Sequence, residues 1–132
     1  MAISFDKALG VHPQTLVLRS QRAEVIASNI ANANTPGYKA KGMDFQQALK
    51  MAQANQNHSL SRTNEKHIDG KMELNNGIDF RIPNQPDTGD GNTVDVQVER
   101  NLYLENTLEY QASFQFLNGK IKGLKKAITG GQ

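Results

Sequence analysis

The sequence from Val94 to Ile128 reads VDVQVERNLYLENTLEYQASFQFLNGKIKGLKKAI, and its apolar residues recur with the period of an α-helix. Two rows of residues spaced seven apart run along it. The first row is Tyr103, Tyr110, Leu117 and Leu124, and the second is Thr107, Phe114, Ile121 and Ile128. The apolar face is wide, so this helix, about 50 Å long at about 1.5 Å per residue, is expected to contact more than one neighbour. Thr93 or Asp95 is expected to cap its start.

A second amphipathic helix is predicted near the N-terminus. Its apolar residues are Leu9, Leu16, Ala23 and Ile30, which stand seven apart, with Ile26, Ala27 and Ala33 in the adjacent rows. Pro13 has no backbone N–H to donate, so the main helix is placed from about Pro13 onward. It is expected to stop at Asn34-Thr35-Pro36-Gly37-Tyr38, because proline disfavours helical dihedrals at Thr35 and Gly37 supplies the positive φ of a type II turn.

Between the two helices, residues 52–93 have the composition of a connector. Asparagine, glycine and charged residues dominate, and prolines interrupt the segment. The alternation in residues 77–82 is compatible with one short strand. We expect extended chain with little regular structure, partly disordered in the free monomer.

The pattern predicts a mainly α fold in which the N- and C-terminal amphipathic helices pack as an antiparallel, coiled-coil-like hairpin around an extended, partly disordered connector. Residues 1–34 and 94–132 would form one helical inner domain, and residues 35–93 the turn, a partner-contact segment and the connector. The apolar rows would form the seam. Two helices cannot cover both flanks of the C-terminal helix, which favours a subunit of a larger assembly. Periodicity alone is equally compatible with a small helical bundle carrying a long loop.

Composition argues against several other classes of protein. The chain has 132 residues, 37% of them hydrophobic, with no cysteine and a formal net charge of +2. It therefore has no disulfide framework, thiolate nucleophile or cysteine-based zinc site. It has no basic stripe interleaved with aromatics for nucleic acid. The N-terminus lacks a basic region followed by an apolar run, and no stretch approaches the roughly 18 apolar residues of a membrane span, so Sec-type export and membrane insertion are not expected.

Catalytic and metal-binding patterns are also not found in the sequence. His12, His58 and His67 lack the spacing of metal ligands on a helix face. The carboxylates are scattered, and no glycine-rich loop follows a strand to hold a phosphate. We therefore expect no catalytic residue, metal or cofactor, and no enzymatic activity.

The segment from Ser28 to Lys39 resembles the N-terminal signature of the flagellar rod, hook and hook-associated axial protein family. The signature residues are Ser28, Asn29, Ile30, Ala31, Asn32, Ala33, Asn34, Thr35, Pro36, Gly37 and Tyr38. Three further stretches, residues 41–45, residues 90–95, and residues 110–112 with 121–124, look like one proximal rod protein of this family. The related proximal rod protein FlgC shares the signature and a Tyr-Gln-Ala stretch and remains an alternative. A small helical adaptor or secretion chaperone is the alternative from another class.

The resemblance implies a structural subunit at the base of the periplasmic rod of the flagellar basal body. Such a subunit would be exported from the cytoplasm by the flagellar type III apparatus without a cleaved signal peptide. It would polymerise into the torque-transmitting rod that lines the export channel. The implied partners are FlgC and further rod subunits, FliE, export-gate components and other copies of the chain.

Four groups of residues are candidate interaction sites. Phe45 and Leu49 match a short Phe-x-x-x-apolar motif by which early flagellar subunits dock at the export gate; the alternative is packing in the assembled rod. The asparagines of the signature would bond between subunits, end the first helix, or both. The lysines between residues 120 and 126 would meet an acidic neighbour or simply favour the helix dipole. Helix packing or subunit contact is predicted for Leu9, Leu16, Ala23, Ile26, Ile30, Tyr103, Tyr110, Phe114, Leu117, Ile121, Leu124 and Ile128.

Overall fold

The computed structural model describes residues 8–57, 77–83 and 89–130. Within these ranges, three helices of 13 or more residues and two short strands follow one another. They are α1 (His12–Ala31), β1 (Lys41–Met43), α2 (Phe45–Asn57), β2 (Ile78–Phe80) and α3 (Val96–Ile128). The predicted disorder of the connector falls mainly on residues 58–76 and 84–88, which lie outside the described residues.

Helix α1 begins at His12, close to the predicted start at Pro13, and ends at Ala31, three residues before Asn34, the first residue of the predicted stop. Pro13 lies in its first turn, where a missing N–H removes no intrahelical bond. After Ala31 the chain turns through Thr35 to Tyr38, whose N–H donates to the Thr35 carbonyl at 3.2 Å. Gly37 takes the positive φ, 72°, that the predicted turn requires.

Helix α3 is capped at its start by Asp95. The Asp95 carboxylate accepts hydrogen bonds from the N–H groups of Gln97 and Val98, at 2.9 and 3.2 Å, which satisfies two of the unpaired donors of the first turn. Lys125 and Lys126 lie in the last turn, where positive charge is favoured by the helix dipole. Of the two caps considered from the sequence, Asp95 is confirmed.

Helices α1 and α3 run antiparallel. The ring centroids of His12 and Phe116 are 6.3 Å apart at one end. At the other end, Asn29 Nδ2 lies 3.2 Å from Glu99 Oε2. The prediction of a mainly α protein built on a hairpin of its N- and C-terminal helices is confirmed.

The residues in the seam of the hairpin differ from those predicted. The side of α3 that faces α1 carries Glu99 and Asn106, both buried, and Ser113, half-buried. The predicted apolar rows are mostly exposed: Tyr103, Tyr110, Phe114, Ile121, Leu124 and Ile128 all face outward, whereas Thr107 and Leu117 are half-buried. Assigning those rows to the intramolecular seam was therefore wrong.

The physical reason is a rotation of α3 by one row. Glu99, Asn106 and Ser113 also stand seven apart, four residues before the predicted row, which corresponds to about 40° around a helix with 3.6 residues per turn. A prediction from hydrophobicity alone places the apolar row in the seam of the hairpin. The polar row can be buried there instead because its side chains have hydrogen-bond partners on α1.

Part of the predicted connector is regular structure. Helix α2 continues to Asn57, so residues 52–57 are helical rather than extended, a correction to the prediction. Asp44 stabilises its start, because its carboxylate accepts from the N–H groups of Gln46 and Gln47 at 2.9 and 3.1 Å. The possible short strand in residues 77–82 is present as β2.

The two strands pair antiparallel, with Lys41 opposite Phe80 and Met43 opposite Ile78. Their pairing brings α2 against α1. A small core forms there from Leu18 of α1, Met43 of β1 and Ala48 of α2. Phe45, Leu49, Ala52 and Ile78 pack around it. Leu18, buried on α1, lies outside the row predicted for that helix, whose members Leu9, Leu16, Ala23 and Ile30 are half-buried; Ile26 is buried as predicted.

Candidate functional site: a polar junction at one end of the hairpin

The last turn of α1 carries a fully buried asparagine that acts as a backbone mimic. Asn29 is 0% exposed. Its Nδ2 donates to the Lys41 carbonyl at 2.7 Å, and its Oδ1 accepts from the Lys41 N–H at 3.0 Å. The amide therefore pairs with β1 as a neighbouring strand would, and it fixes the end of α1 to the sheet.

Next to Asn29, a buried carboxylate is bound by an arginine that directly follows β2. Glu99 is 1% exposed. Its two oxygens lie 2.8 and 3.2 Å from the Nη1 and Nη2 atoms of Arg81, and Oε2 also accepts from Asn29 Nδ2. A bidentate pair of this kind is strong and directional, and it offsets the large desolvation cost of the Glu99 charge. The first turn of α3 is thereby joined to β2 and α1 at one point.

A second buried asparagine caps the carboxyl end of α1. Asn92, just before α3, donates through Nδ2 to the carbonyl oxygens of Asn32, Ala33 and Thr35, at 2.9 to 3.0 Å. Its Oδ1 accepts from the Val94 N–H at 2.8 Å. The carbonyls of Asn32 and Thr35 also accept the backbone N–H groups of Thr35 and Tyr38, so Asn92 adds a side-chain donor to the turn that follows α1 and joins that turn to the start of α3.

Further hydrogen bonds connect residues 37–40, which follow α1, with residues 90–93, which precede α3. The Gly37 N–H donates to the Asp90 carbonyl at 2.8 Å, and the Thr93 N–H donates to the Tyr38 carbonyl at 3.0 Å. The Ala40 N–H donates to Thr93 Oγ1 at 2.8 Å. We call this assembly the junction: Asn29, Arg81, Asn92 and Glu99 with the backbone of residues 37–41 and 90–93.

The signature residues divide into those inside the junction and those around it. Asn32 Nδ2 donates to the Ser28 carbonyl at 2.8 Å, and Thr35 Oγ1 donates to Asn32 Oδ1 at 3.3 Å, so both terminate α1. Tyr38 is half-buried, and its hydroxyl donates to Asn29 Oδ1 at 3.4 Å. Ile30 and Ala33 are half-buried, whereas Ser28, Ala31, Asn34, Pro36 and Gly37 are exposed.

Halfway along the hairpin lies a second polar contact, which we call the Arg19 bridge. The Arg19 guanidinium forms an ion pair with Glu109 of α3, and its Nε donates to Ser113 Oγ at 3.3 Å. Asn106 Nδ2 donates to the Arg19 carbonyl at 2.9 Å. A polar residue in a helix seam favours one register, because sliding the helices would leave it unpaired.

The remaining candidate residues lie away from the junction. Phe45 and Leu49 are half-buried against the small core. Residues 119–128 of α3, which we call the distal end, are all exposed and include Ile121, Leu124 and Ile128. The lysines at 120, 122, 125 and 126 lie in the same segment.

Sequence reasoning missed Arg19, Arg81, Asn92, Glu99 and Asn106. Glu99 is an acidic residue in the first turn of a helix. Such a residue normally indicates an exposed side chain that interacts favourably with the helix dipole. Asn92 lies in a stretch of ordinary turn chemistry. Neither signal reveals burial, because burial depends on distant partners. Those of the Asn92 amide group are 57 to 60 residues away, and Asn29 is 70 residues away from Glu99.

The junction is suited to a mechanical role. Its hydrogen bonds hold the ends of two helices and a strand pair in one fixed relation. Within the described residues, no group of histidine, aspartate and glutamate is arranged to hold a metal ion. No helix in that part of the chain is long and apolar enough to cross a membrane.

Comparison with known proteins places these features in a family. Residues 9–39, which contain the signature, match the family model described as flagella basal body rod protein. The chain is 56% identical over 132 residues to the flagellar basal body rod protein FlgB of Aeromonas hydrophila, with all of both chains covered. It is 40% identical to FlgB of Escherichia coli strain K12, with 99% of both chains covered.

A third relative also matches nearly the whole chain. FlgB of Cereibacter sphaeroides is 44% identical over 127 residues, covering 96% of this chain and 97% of the relative. These full-length matches favour neither FlgC nor a helical adaptor or secretion chaperone. They support a structural subunit of the rod. The chain therefore belongs to the FlgB family of flagellar basal body rod proteins.

Proposed function

We propose that this chain forms the proximal part of the rod, in the periplasm, and that neighbouring subunits cover the exposed apolar surface of α3. It reaches the rod through the flagellar type III apparatus without a cleaved signal peptide. In the rod it lines the export channel and transmits torque, and it has no catalytic role. The observation that carries the proposal is the exposed apolar surface of α3, which continues beyond the end of α1.

In the described part of the chain, the lengths of the two helices leave this surface uncovered. Helix α3 has 33 residues and α1 has 20, or about 50 and 30 Å at about 1.5 Å per residue. The contact of His12 with Phe116 marks where α1 begins beside α3. Beyond it, Ile121 and Ile128 are 48% and 86% exposed. Large exposed apolar surfaces of this kind are typical of protein interfaces.

The proposed neighbours are other copies of the chain, FlgC and further rod subunits, and FliE. Tyr103, Tyr110, Phe114, Leu117, Ile121, Leu124 and Ile128 would provide the contacts from α3. Aromatic residues are enriched in protein interfaces, which fits the composition of this surface. The lysines of the distal end would meet an acidic neighbour or favour the helix dipole.

The junction supports the mechanical part of the proposal. Torque applied to one helix must pass to the rest of the subunit without the helices sliding. The bidentate contact of Arg81 with Glu99 and the three carbonyl contacts of Asn92 oppose sliding, because hydrogen bonds weaken steeply with distance and angle.

Phe45 and Leu49 would dock at the export gate before the chain folds. In the folded chain both residues pack on the small core, and the gate would bind the same face. The two roles considered from the sequence are thus assigned to different stages, docking before assembly and packing afterwards.

The experiment that tests the proposal compares Leu124→Ser with Lys122→Ser in cells that lack the native protein. Both positions are exposed, so each change should alter the stability of the isolated chain by less than about 0.5 kcal/mol. We expect Leu124→Ser to abolish motility and to be missing from purified basal bodies, whereas Lys122→Ser retains both. Normal incorporation of Leu124→Ser, alone and together with Ile121→Ser, would contradict the proposal.

A further inference from the structure

One side chain of α1 contacts both of the helices that pack against α1. The Arg19 guanidinium carbon lies 4.3 Å from the centroid of the Phe45 ring on α2. The same guanidinium is paired with Glu109 and bonded to Ser113 on α3, and only 12% of the Arg19 side chain is exposed. The packing of Phe45 and the position of α3 are therefore linked through one group.

The face of α2 that carries Phe45 and Leu49 is the face that packs on the chain itself. Both side chains are half-buried against Leu18 and Met43, and α2 packs mainly on α1. A second protein that bound Phe45 and Leu49 would have to remove them from this core. Packing and docking therefore exclude each other.

We propose that closure of α3 onto α1 is a latch that conceals the Phe45–Leu49 face, and that opening of the hairpin releases it. When α3 leaves, Glu109 and Ser113 no longer hold the guanidinium. Arg19 then regains rotamer freedom, and its cation–π contact with Phe45 weakens. A helix of 13 residues is marginal in water without tertiary packing, so α2 opens with it.

The latch deepens the proposed function and rests on it for its biological meaning. An open chain in the cytoplasm offers Phe45 and Leu49 to the export gate, and a folded subunit in the rod no longer does. The chemistry of the partner is a groove that accepts two apolar anchors one helical turn apart. Burial of the face by the hairpin is measurable without that partner.

The test uses a unique thiol, because the natural chain has no cysteine. Leu49→Cys places it on the concealed face, and Lys50→Cys places it at an exposed position of the same helix. The alkylation rate with iodoacetamide is measured in the full-length chain without further change and in four substituted backgrounds. Glu109→Gln and Arg19→Gln break the bridge, and Glu105→Gln and Arg100→Gln are matched changes at exposed positions.

We expect Glu109→Gln and Arg19→Gln to raise the alkylation rate of the position-49 thiol by at least about threefold, since each removes a charge-assisted contact. The Glu105→Gln and Arg100→Gln backgrounds should leave it unchanged, and the position-50 thiol should react alike in all backgrounds. Amide exchange at Ala48 and Leu49 in chains without cysteine gives a second readout, with the same expected order.

Equal rates in the Glu109→Gln and Glu105→Gln backgrounds would overturn the latch. So would a position-49 thiol that reacts as fast in native buffer as in denaturant. Export of Phe45→Ala and Leu49→Ala chains tests the docking role separately. If the alkylation rates agree with the latch but export of the Phe45→Ala and Leu49→Ala chains is unchanged, the latch is supported and the docking role is wrong.

Discussion

The two ends of the hairpin place polar and apolar residues in opposite ways. At the junction, a carboxylate and two asparagines are buried and fully engaged. At the distal end of α3, isoleucine and leucine side chains are exposed. The polar groups of the junction therefore find their partners within the chain, whereas the apolar side chains of the distal end are suited to burial against neighbouring subunits.

The junction should give the largest effect on stability. Glu99→Ala leaves Arg81 and Asn29 facing a cavity without their acceptor, and we expect the free energy of unfolding to fall by about 3 kcal/mol. Urea denaturation of the isolated chain measures it. Glu105→Ala, at an exposed position of the same helix, should change it by less than about 0.5 kcal/mol. Equal effects of the two changes would remove the junction as the source of stability.

Asn92→Asp should have the next largest effect. The substitution keeps the size of the side chain but replaces its NH2 donor with an acceptor, which then faces the carbonyls of Asn32, Ala33 and Thr35. We expect a loss of about 2 kcal/mol in the same assay. Asn101→Asp, exposed on α3, is the control; a loss as large there would show that added charge, not the cap, is responsible.

Replacing glycine by alanine should have a smaller effect on stability, with opposite signs at the two ends of the hairpin. A Cβ at Gly119 or Gly123 of the distal end would meet no heavy atom within 4 Å beyond its own helix, so alanine should stabilise that helix by about 1 kcal/mol at each position. Gly37 has a φ of 72°, so Gly37→Ala should destabilise the chain by about 1 kcal/mol. Amide exchange of residues 119–128 measures the stabilisation of the distal end, and urea denaturation measures the destabilisation by Gly37→Ala. Destabilisation by Gly119→Ala would mean that the distal end is packed within the chain.

The sequence predicted the elements of this fold better than their contacts. Local rules of proline, glycine and capping chemistry predict the start of α1, the turn at Gly37, the Asp95 cap and the approximate length of α3. The rotation of α3 does not. A seven-residue apolar row looks the same whether it faces a partner helix or a neighbouring subunit, and only the polar partners of Glu99 and Asn106 decide between the two.

The candidate site was predictable only in outline. The signature segment was located from its residues, and Asn32 and Thr35 end α1 as one reading of them predicted. The pairing of Asn29 with β1 and with Glu99 depends on residues 12 and 70 positions away. Arg81 lies in a segment that sequence patterns present as connector, so its contact with Glu99 had no local signal.

The most direct test of the contrast between the two ends is amide hydrogen exchange of the chain alone and in purified basal bodies. We predict that amides of the junction, such as those of Lys41 and Thr93, are protected in both states, because their bonds lie within one chain. Residues 119–128 should be protected only in the basal body. Protection of residues 119–128 in the isolated chain, or their continued rapid exchange in the basal body, would contradict the account.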